Sequence, residues 1–165
     1  MTGRDARHAK ESQATAEHDF GILLALAYGG FVDEMRASLA ADGYGELNRS
    51  FGYVARALAE RPLTLRELAE RLAITSPGAH KIVEEMERGR YLERQADPED
   101  GRAKRLHLTR RGQAALSAAR RFHGRFEARL AARVGKQKAA ACRAVLQTII
   151  DARTTSGAPP GLRPI

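Results

Sequence analysis

The stretch Thr64–Thr109, TLRELAERLAITSPGAHKIVEEMERGRYLERQADPEDGRAKRLHLT, carries the pattern that decides the fold. Thr64 followed three residues later by Glu67 is a capping box, with Leu63 and Leu68 at the staple positions around it. A helix therefore starts near Leu65. Leu65, Leu68, Ala69 and Leu72 recur at spacings of three and four, which makes one apolar stripe over two turns. Ala73, Ile74 and Thr75 interrupt the stripe, Ala73 standing where a turn Gly is common. Ser76 then serves as the cap of a second helix and Pro77 as its first residue. That helix runs to about Arg88, with Ala79, Ile82, Val83 and Met86 facing inward and Pro77, Gly78, His80, Lys81, Glu84 and Arg88 outward. Two short helices joined by a brief turn form a helix-turn-helix.

Beyond Gly89, read as a helix C-cap, come Tyr91 to Gln95, then Asp97-Pro98-Glu99-Asp100-Gly101, then Arg102 to Leu108. The Pro, Asp and Gly cluster is a turn between two strand-like runs. In the second run Leu106 and Leu108 alternate with His107, while Arg102, Lys104 and Arg105 crowd the turn. A cationic hairpin directly behind a helix-turn-helix is a wing.

These residues resemble the MarR family of winged-helix transcription regulators. The resemblance rests on Leu68-Ala69, on Glu87-Arg88-Gly89 leading to Leu92 and Arg94, and above all on Asp97-Pro98-Glu99-Asp100-Gly101-Arg102 followed by Leu106-His107-Leu108-Thr109 and Gly112. It covers Thr64 to Gly112 by motif and about Phe20 to Arg153 by the order of helices. The expected fold class is mainly α with a small β-hairpin wing, a winged helix-turn-helix flanked by N- and C-terminal dimerisation helices.

Working outward, residues 1–17 lack periodicity and read as a disordered lead. Residues 18–153 read as one domain, with the winged helix-turn-helix over about 48–109 and dimerisation helices over about 18–40 and 113–153. Phe20, Leu23, Leu24, Ala27, Phe31, Met35 and Leu39 share one stripe, widened by Ile22, Leu26 and Val32. So broad a face suits contact with its own domain and with a second subunit, although burial in a single core would also explain it. Phe51, Val54, Ala55 and Leu58 mark a further helix that ends before Pro62. Thr109 caps a long helix carrying Leu116, Ala119, Phe122, Phe126, Leu130 and Val134, broken at Gly135. Cys142, Val145, Leu146 and Ile149 share one face of the last helix, which ends near Arg153. Residues 154–165 are Pro and Gly rich and read as a disordered tail.

A net charge of +8 over 165 residues favours a polyanionic partner. Much of the excess follows the wing, where Arg110, Arg111, Arg120, Arg121, Arg125, Arg129, Arg133 and Lys136 meet only Glu127. A solvated basic face accounts for that run equally well. The first residues hold no apolar core of a leader, and no apolar run reaches the ~20 residues that span a bilayer. With one cysteine there is no internal disulfide, so a reducing, cytoplasmic setting without membrane contact is expected.

Function follows from the motif. The first turns of a recognition helix come closest to base edges in the major groove, which makes Ser76, Pro77, Gly78, His80 and Lys81 the candidate base readers. Arg102 would enter the flanking minor groove with Asp100 orienting it, while Lys104, Arg105, Thr64 and Arg66 would contact phosphates. The partners expected are double-stranded DNA, bound at a pseudopalindrome, and a second copy in a homodimer. The resemblance also implies repression and a small-molecule effector pocket, for which Tyr28, Tyr44, Phe51 and Tyr53 are candidate linings; plain core packing explains those rings as well.

Cys142, on an apolar stripe, reads as a buried structural thiol rather than a redox sensor. His8, His18, His80, His107 and His123 show no paired ligand spacing, so neither a metal nor another cofactor is expected. No nucleophile with its base and no cofactor loop accompanies them, which argues against an enzyme. The competing reading is a winged helix used for protein interaction or for nonspecific DNA binding.

Overall fold

In the computed structural model, which describes residues 18–45, 47, 50–97 and 103–155, the elements in chain order are α1 (Phe20–Ala41), α2 (Phe51–Glu60), β1 (Leu63–Thr64), α3 (Leu65–Leu72), α4 (Ser76–Arg88), β2 (Leu92–Ala96), β3 (Lys104–Leu108), α5 (Arg110–Val134) and α6 (Lys136–Thr155). The chain divides into two compact units at the Glu34–Met35 boundary. The expected lead, residues 1–17, and residues 156–165 of the expected tail lie outside the described residues.

The capping box closes in both directions. The Glu67 N–H donates to Thr64 Oγ1 at 3.2 Å, and the Thr64 N–H donates to Glu67 Oε2 at 2.7 Å. The helix that follows, α3, buries Leu68, Ala69 and Leu72 and ends at Ala73, whose φ of 51° is left-handed. Two details depart from the sequence reading. Thr75, not Ser76, caps α4: its side chain accepts from the Gly78 N–H, and Ser76 is already helical. Gly89 is the C-cap of α4, as expected, with an ordinary φ of −74°, and the left-handed residue is Arg90, at φ 57°. Gly89 is small for a different reason, since a Cβ there would lie 2.7 Å from the Tyr91 ring. Lastly, α6 continues to Thr155, past the expected end at Arg153.

The hairpin strands β2 and β3 pair antiparallel, Leu92 opposite Leu108 and Arg94 opposite Leu106. Sequence periodicity gave no hint of β1, whose Leu63 pairs with Leu106 and so completes a three-stranded sheet in the order β1-β3-β2. A two-residue strand is too short to alternate, and Leu63 fulfils a core role instead. Val54, Leu58, Leu63, Leu68, Leu72, Val83, Met86, Tyr91, Leu106 and Leu116 form the core between helices and sheet. Each such Leu contributes about 2 kcal/mol by leaving water.

The start of α5 is welded to the hairpin base. Thr109 Oγ1 accepts from the Gly112 N–H at 3.1 Å and donates to the Arg90 carbonyl at 2.6 Å, while the Thr109 N–H donates to the Tyr91 carbonyl at 3.1 Å. Gly112 is buried so tightly that a Cβ would strike the Tyr91 carbonyl oxygen. Further along, Ala118 and Ala119 pack with Leu39, flanked by Met35, Tyr44 and Leu47.

Apolar groups are left uncovered in both units. In the first unit Phe20, Ile22, Leu23, Leu26 and Tyr28 are exposed, on a helix opened by Asp19, whose carboxylate accepts from the Ile22 N–H at 3.0 Å. In the second unit Leu130, Val134, Val145, Leu146, Ile149 and Ile150 are exposed. Cys142 is exposed as well, which corrects the expectation of a buried thiol: the stripe it shares is not covered by this chain.

Candidate nucleic-acid interface

Helix α4 is amphipathic in the simplest way. Ala79, Val83 and Met86 are buried, which turns Ser76, Pro77, His80, Lys81, Glu84 and Arg88 to solvent, with Gly78 half-buried at the edge. Because Thr75 supplies the cap, the first exposed turn carries no acidic group. His80 Nδ1 stands 4.0 Å from Glu84 Oε1, too far for a hydrogen bond. Lys81 forms no ion pair among the described residues. The helix start thus presents a hydroxyl, an imidazole and an ammonium on one open face.

The hairpin divides its cations differently from the sequence reading. Lys104 is exposed, but Arg105 Nε donates to Asp97 Oδ2 at 2.6 Å, and the Asp97 side chain is only 5% exposed. Arg105 is therefore engaged within the hairpin through its Nε. Arg94 Nε lies 3.1 and 3.2 Å from the two carboxylate oxygens of Glu87, and its Nη2 lies 3.1 Å from Glu87 Oε2. At the other motif helix, the Thr64 hydroxyl is occupied by capping, and Arg66, exposed, pairs with Glu70 at 2.9 Å. Asp100 and Arg102 lie outside the described residues.

Sequence reasoning missed the two carboxylate partners, Glu87 and Asp97. Each contact joins different elements, seven or eight residues apart, a separation that no helical or strand period singles out. It also missed Arg111. Its Nη2 donates to Tyr91 Oη at 3.1 Å and to the Gly43 carbonyl at 3.2 Å, and its guanidinium lies over the rings of Tyr91 and Tyr44 at 4.8 and 5.5 Å. This arginine ties the segment after α1 to the hairpin base, a use of a basic residue that composition assigns to the solvent or to a polyanion.

The four aromatic candidates for an effector pocket are divided between the two units. Tyr28 is exposed in the first unit, Tyr44 lies under Arg111, Phe51 is buried edge-on to Tyr91 at 5.3 Å, and Tyr53 is half-buried against the core. A cavity of about 370 Å³ is lined by Leu47, Phe51, Glu85, Met86, Arg88, Gly89 and Tyr91, and so takes up only Phe51 of the four. Among the described residues no three His, Cys, Asp or Glu could share a metal ion, and no helix is long and apolar enough to cross a membrane.

The geometry is that of a winged helix, and residues 47–103 match the model of the MarR family. Over this segment the chain is similar to that family. No curated protein matches the chain significantly. Solved structures do. The chain is similar to S. aureus MepR in a DNA complex, at 18% identity and a TM-score of 0.62, over 81% of this chain and 96% of that one. It is similar to YusO of Bacillus subtilis, at 18% and 0.63, over 81% and 94%. A probable transcriptional regulator of Pseudomonas aeruginosa gives 21% and 0.62, over 82% and 99%. At these identities the likeness to solved MarR-type structures is one of fold.

Proposed function

We propose that the chain is a sequence-specific double-stranded DNA-binding transcription regulator. The observation that carries this reading is the open, carboxylate-free first turn of α4, with Ser76, Pro77, His80 and Lys81 exposed on a helix whose other face is locked into the core. Such a helix fits the major groove, where Lys81 would read a guanine or a phosphate and Pro77 a thymine methyl. Lys104, Arg66 and the wing-tip Arg102 would set register through phosphates and the minor groove, with Asp100 orienting Arg102. The DNA complex of MepR, a protein of the same fold, supports this direction.

In the same reading the protein acts in the cytoplasm as a homodimer on a pseudopalindromic operator, represses by obstructing transcription, and is released by a small molecule. Exposed Val145, Leu146, Ile149 and Ile150 on α6, and Phe20, Leu23 and Leu26 on α1, support self-association, because uncovered apolar faces of this kind are unfavourable in a free monomer. Helices over about 18–40 and 113–153 would form the dimer layer and residues 48–109 the reader. The cavity beside Phe51 and Met86 supports regulation, since an occupant would touch the last turn of α4.

The test is a selection from randomised duplex DNA with purified protein at two salt concentrations. A palindromic motif with half-sites ~10 base pairs apart is expected. Salt-sensitive retention without a motif would leave only nonspecific binding, and no retention would turn the search to a protein partner.

A further inference from the structure

Glu87 and Asp97 are both bound to arginines of the hairpin. We infer that Glu87 and Asp97 are positioning residues for duplex binding: Glu87 fixes Arg94 and Asp97 fixes Arg105, so that the recognition helix and the wing engage DNA as one rigid body. The inference rests on the DNA-binding reading above and deepens it.

Glu87 lies in the last turn of α4 and Arg94 in β2. The two-oxygen grip at 3.1 and 3.2 Å, with a third contact at 3.1 Å, defines both the distance and the plane of the guanidinium. Both side chains are about two-thirds covered, so the pair is less screened than a surface bridge. Between them runs only a tight reversal, in which Arg90 is left-handed and Gly89 admits the Tyr91 ring. The pair therefore bridges the reversal between helix and hairpin.

Asp97 performs the same service at the far end of β2. Its N–H donates to the Ala103 carbonyl at 3.0 Å, which closes the hairpin, and its buried carboxylate holds Arg105 of β3 at 2.6 Å. Arg105 is in turn opposite Gln95 in the ladder, and Arg94 is opposite Leu106. The chain of contacts runs from α4 through Glu87, Arg94 and the β2–β3 ladder to Asp97 and Arg105.

Positioning and simple electrostatics predict opposite signs. Glu87→Gln removes one negative charge and raises the net charge from +8 to +9, which by itself tightens binding to a polyanion. Loss of positioning weakens it. The experiment uses a fluorescein-labelled duplex carrying the motif recovered by the selection, titrated with wild-type and variant protein across a salt series, with a thermal melt of each protein.

Glu87→Gln is expected to weaken binding about tenfold with the salt slope unchanged, and the exchanged pair Glu87→Arg with Arg94→Glu to regain most of that loss. Binding by Glu87→Gln that is unchanged or tighter overturns the inference, as does a loss accounted for entirely by a lower folded fraction in the melt. Arg94→Gln adds a second criterion: a slope shallower by about 0.9 would make Arg94 a phosphate ligand and overturn it too, whereas an unchanged slope supports it. If wild-type protein retains no duplex at all, the DNA-binding reading fails and this one falls with it; if wild type binds and Glu87→Gln binds equally, only the positioning role is lost.

Discussion

Thr64 and Glu67 hold each other across the first turn of α3, each accepting the other's backbone N–H, and Arg61 Nη1 adds a bond to Glu67 Oε1 at 2.7 Å. The Thr64 amide, followed by the Arg61 guanidinium, lowers the Glu67 carboxyl from its ordinary 4.5 to about 2. A carboxyl depressed by folding stabilises the native state above its unfolded value, and that contribution is lost as the pH falls toward the folded one. The melting temperature of wild type should therefore exceed that of Glu67→Gln at pH 6, and the gap should narrow between pH 4.5 and 2. A constant gap would show that the charge of Glu67 is not involved.

Ala73 and Arg90 both occupy left-handed backbone, at φ 51° and 57°. A side chain there costs about 1 kcal/mol, part of which Gly returns as a more disordered unfolded chain. Ala73→Gly should stabilise by about 0.5 kcal/mol in urea unfolding, with the fold retained. Destabilisation would mean that the Ala73 methyl, half-buried, packs for more than its backbone costs.

Lys81→Ala together with Arg102→Ala should abolish specific duplex binding while melts and oligomeric state remain those of wild type. Lys104→Ala should weaken binding to all sequences alike and reduce the salt slope by about 0.9. If some eight phosphates are neutralised in the complex, the wild-type slope should be near about −7, and a slope near zero would remove the electrostatic basis of the whole reading.

Val145→Glu should convert the protein to monomers in analytical ultracentrifugation, because it places a charge on a face that self-association would cover. Cys142 shares that helix and is exposed in the single chain. A thiol reagent should therefore label it slowly in wild type and rapidly in Val145→Glu. Rapid labelling of both, with wild type monomeric, would leave these apolar residues to some other partner.

Sequence alone carried most of the reader because its signals are local. The capping box at Thr64 and Glu67 and the apolar stripes of α3 and α4 each act within a few residues, so pattern and structure agree. Illegible were features made by distant segments. The strand β1 exists only because Leu106 lies beside Leu63, and Arg105 gains a carboxylate partner only because the hairpin brings Asp97 to it. The cap of α4 moved from Ser76 to Thr75 because both residues can cap, and only backbone geometry chooses between them. The packing of Phe51 edge-on to Tyr91 was also illegible, because it joins rings forty residues apart in the chain.

The pressed contact between Gly112 and the Tyr91 carbonyl has a consequence for genetics. A screen for cells that have lost regulation would recover substitutions at Gly112 as readily as at Lys81, although residue 112 is buried and presents no side chain to a ligand. The two classes separate by immunoblot. Alleles at Lys81 leave normal amounts of an inactive protein, whereas alleles at Gly112 empty the cell of it, because any side chain there pries the long helix away from the hairpin and hands the chain to proteases.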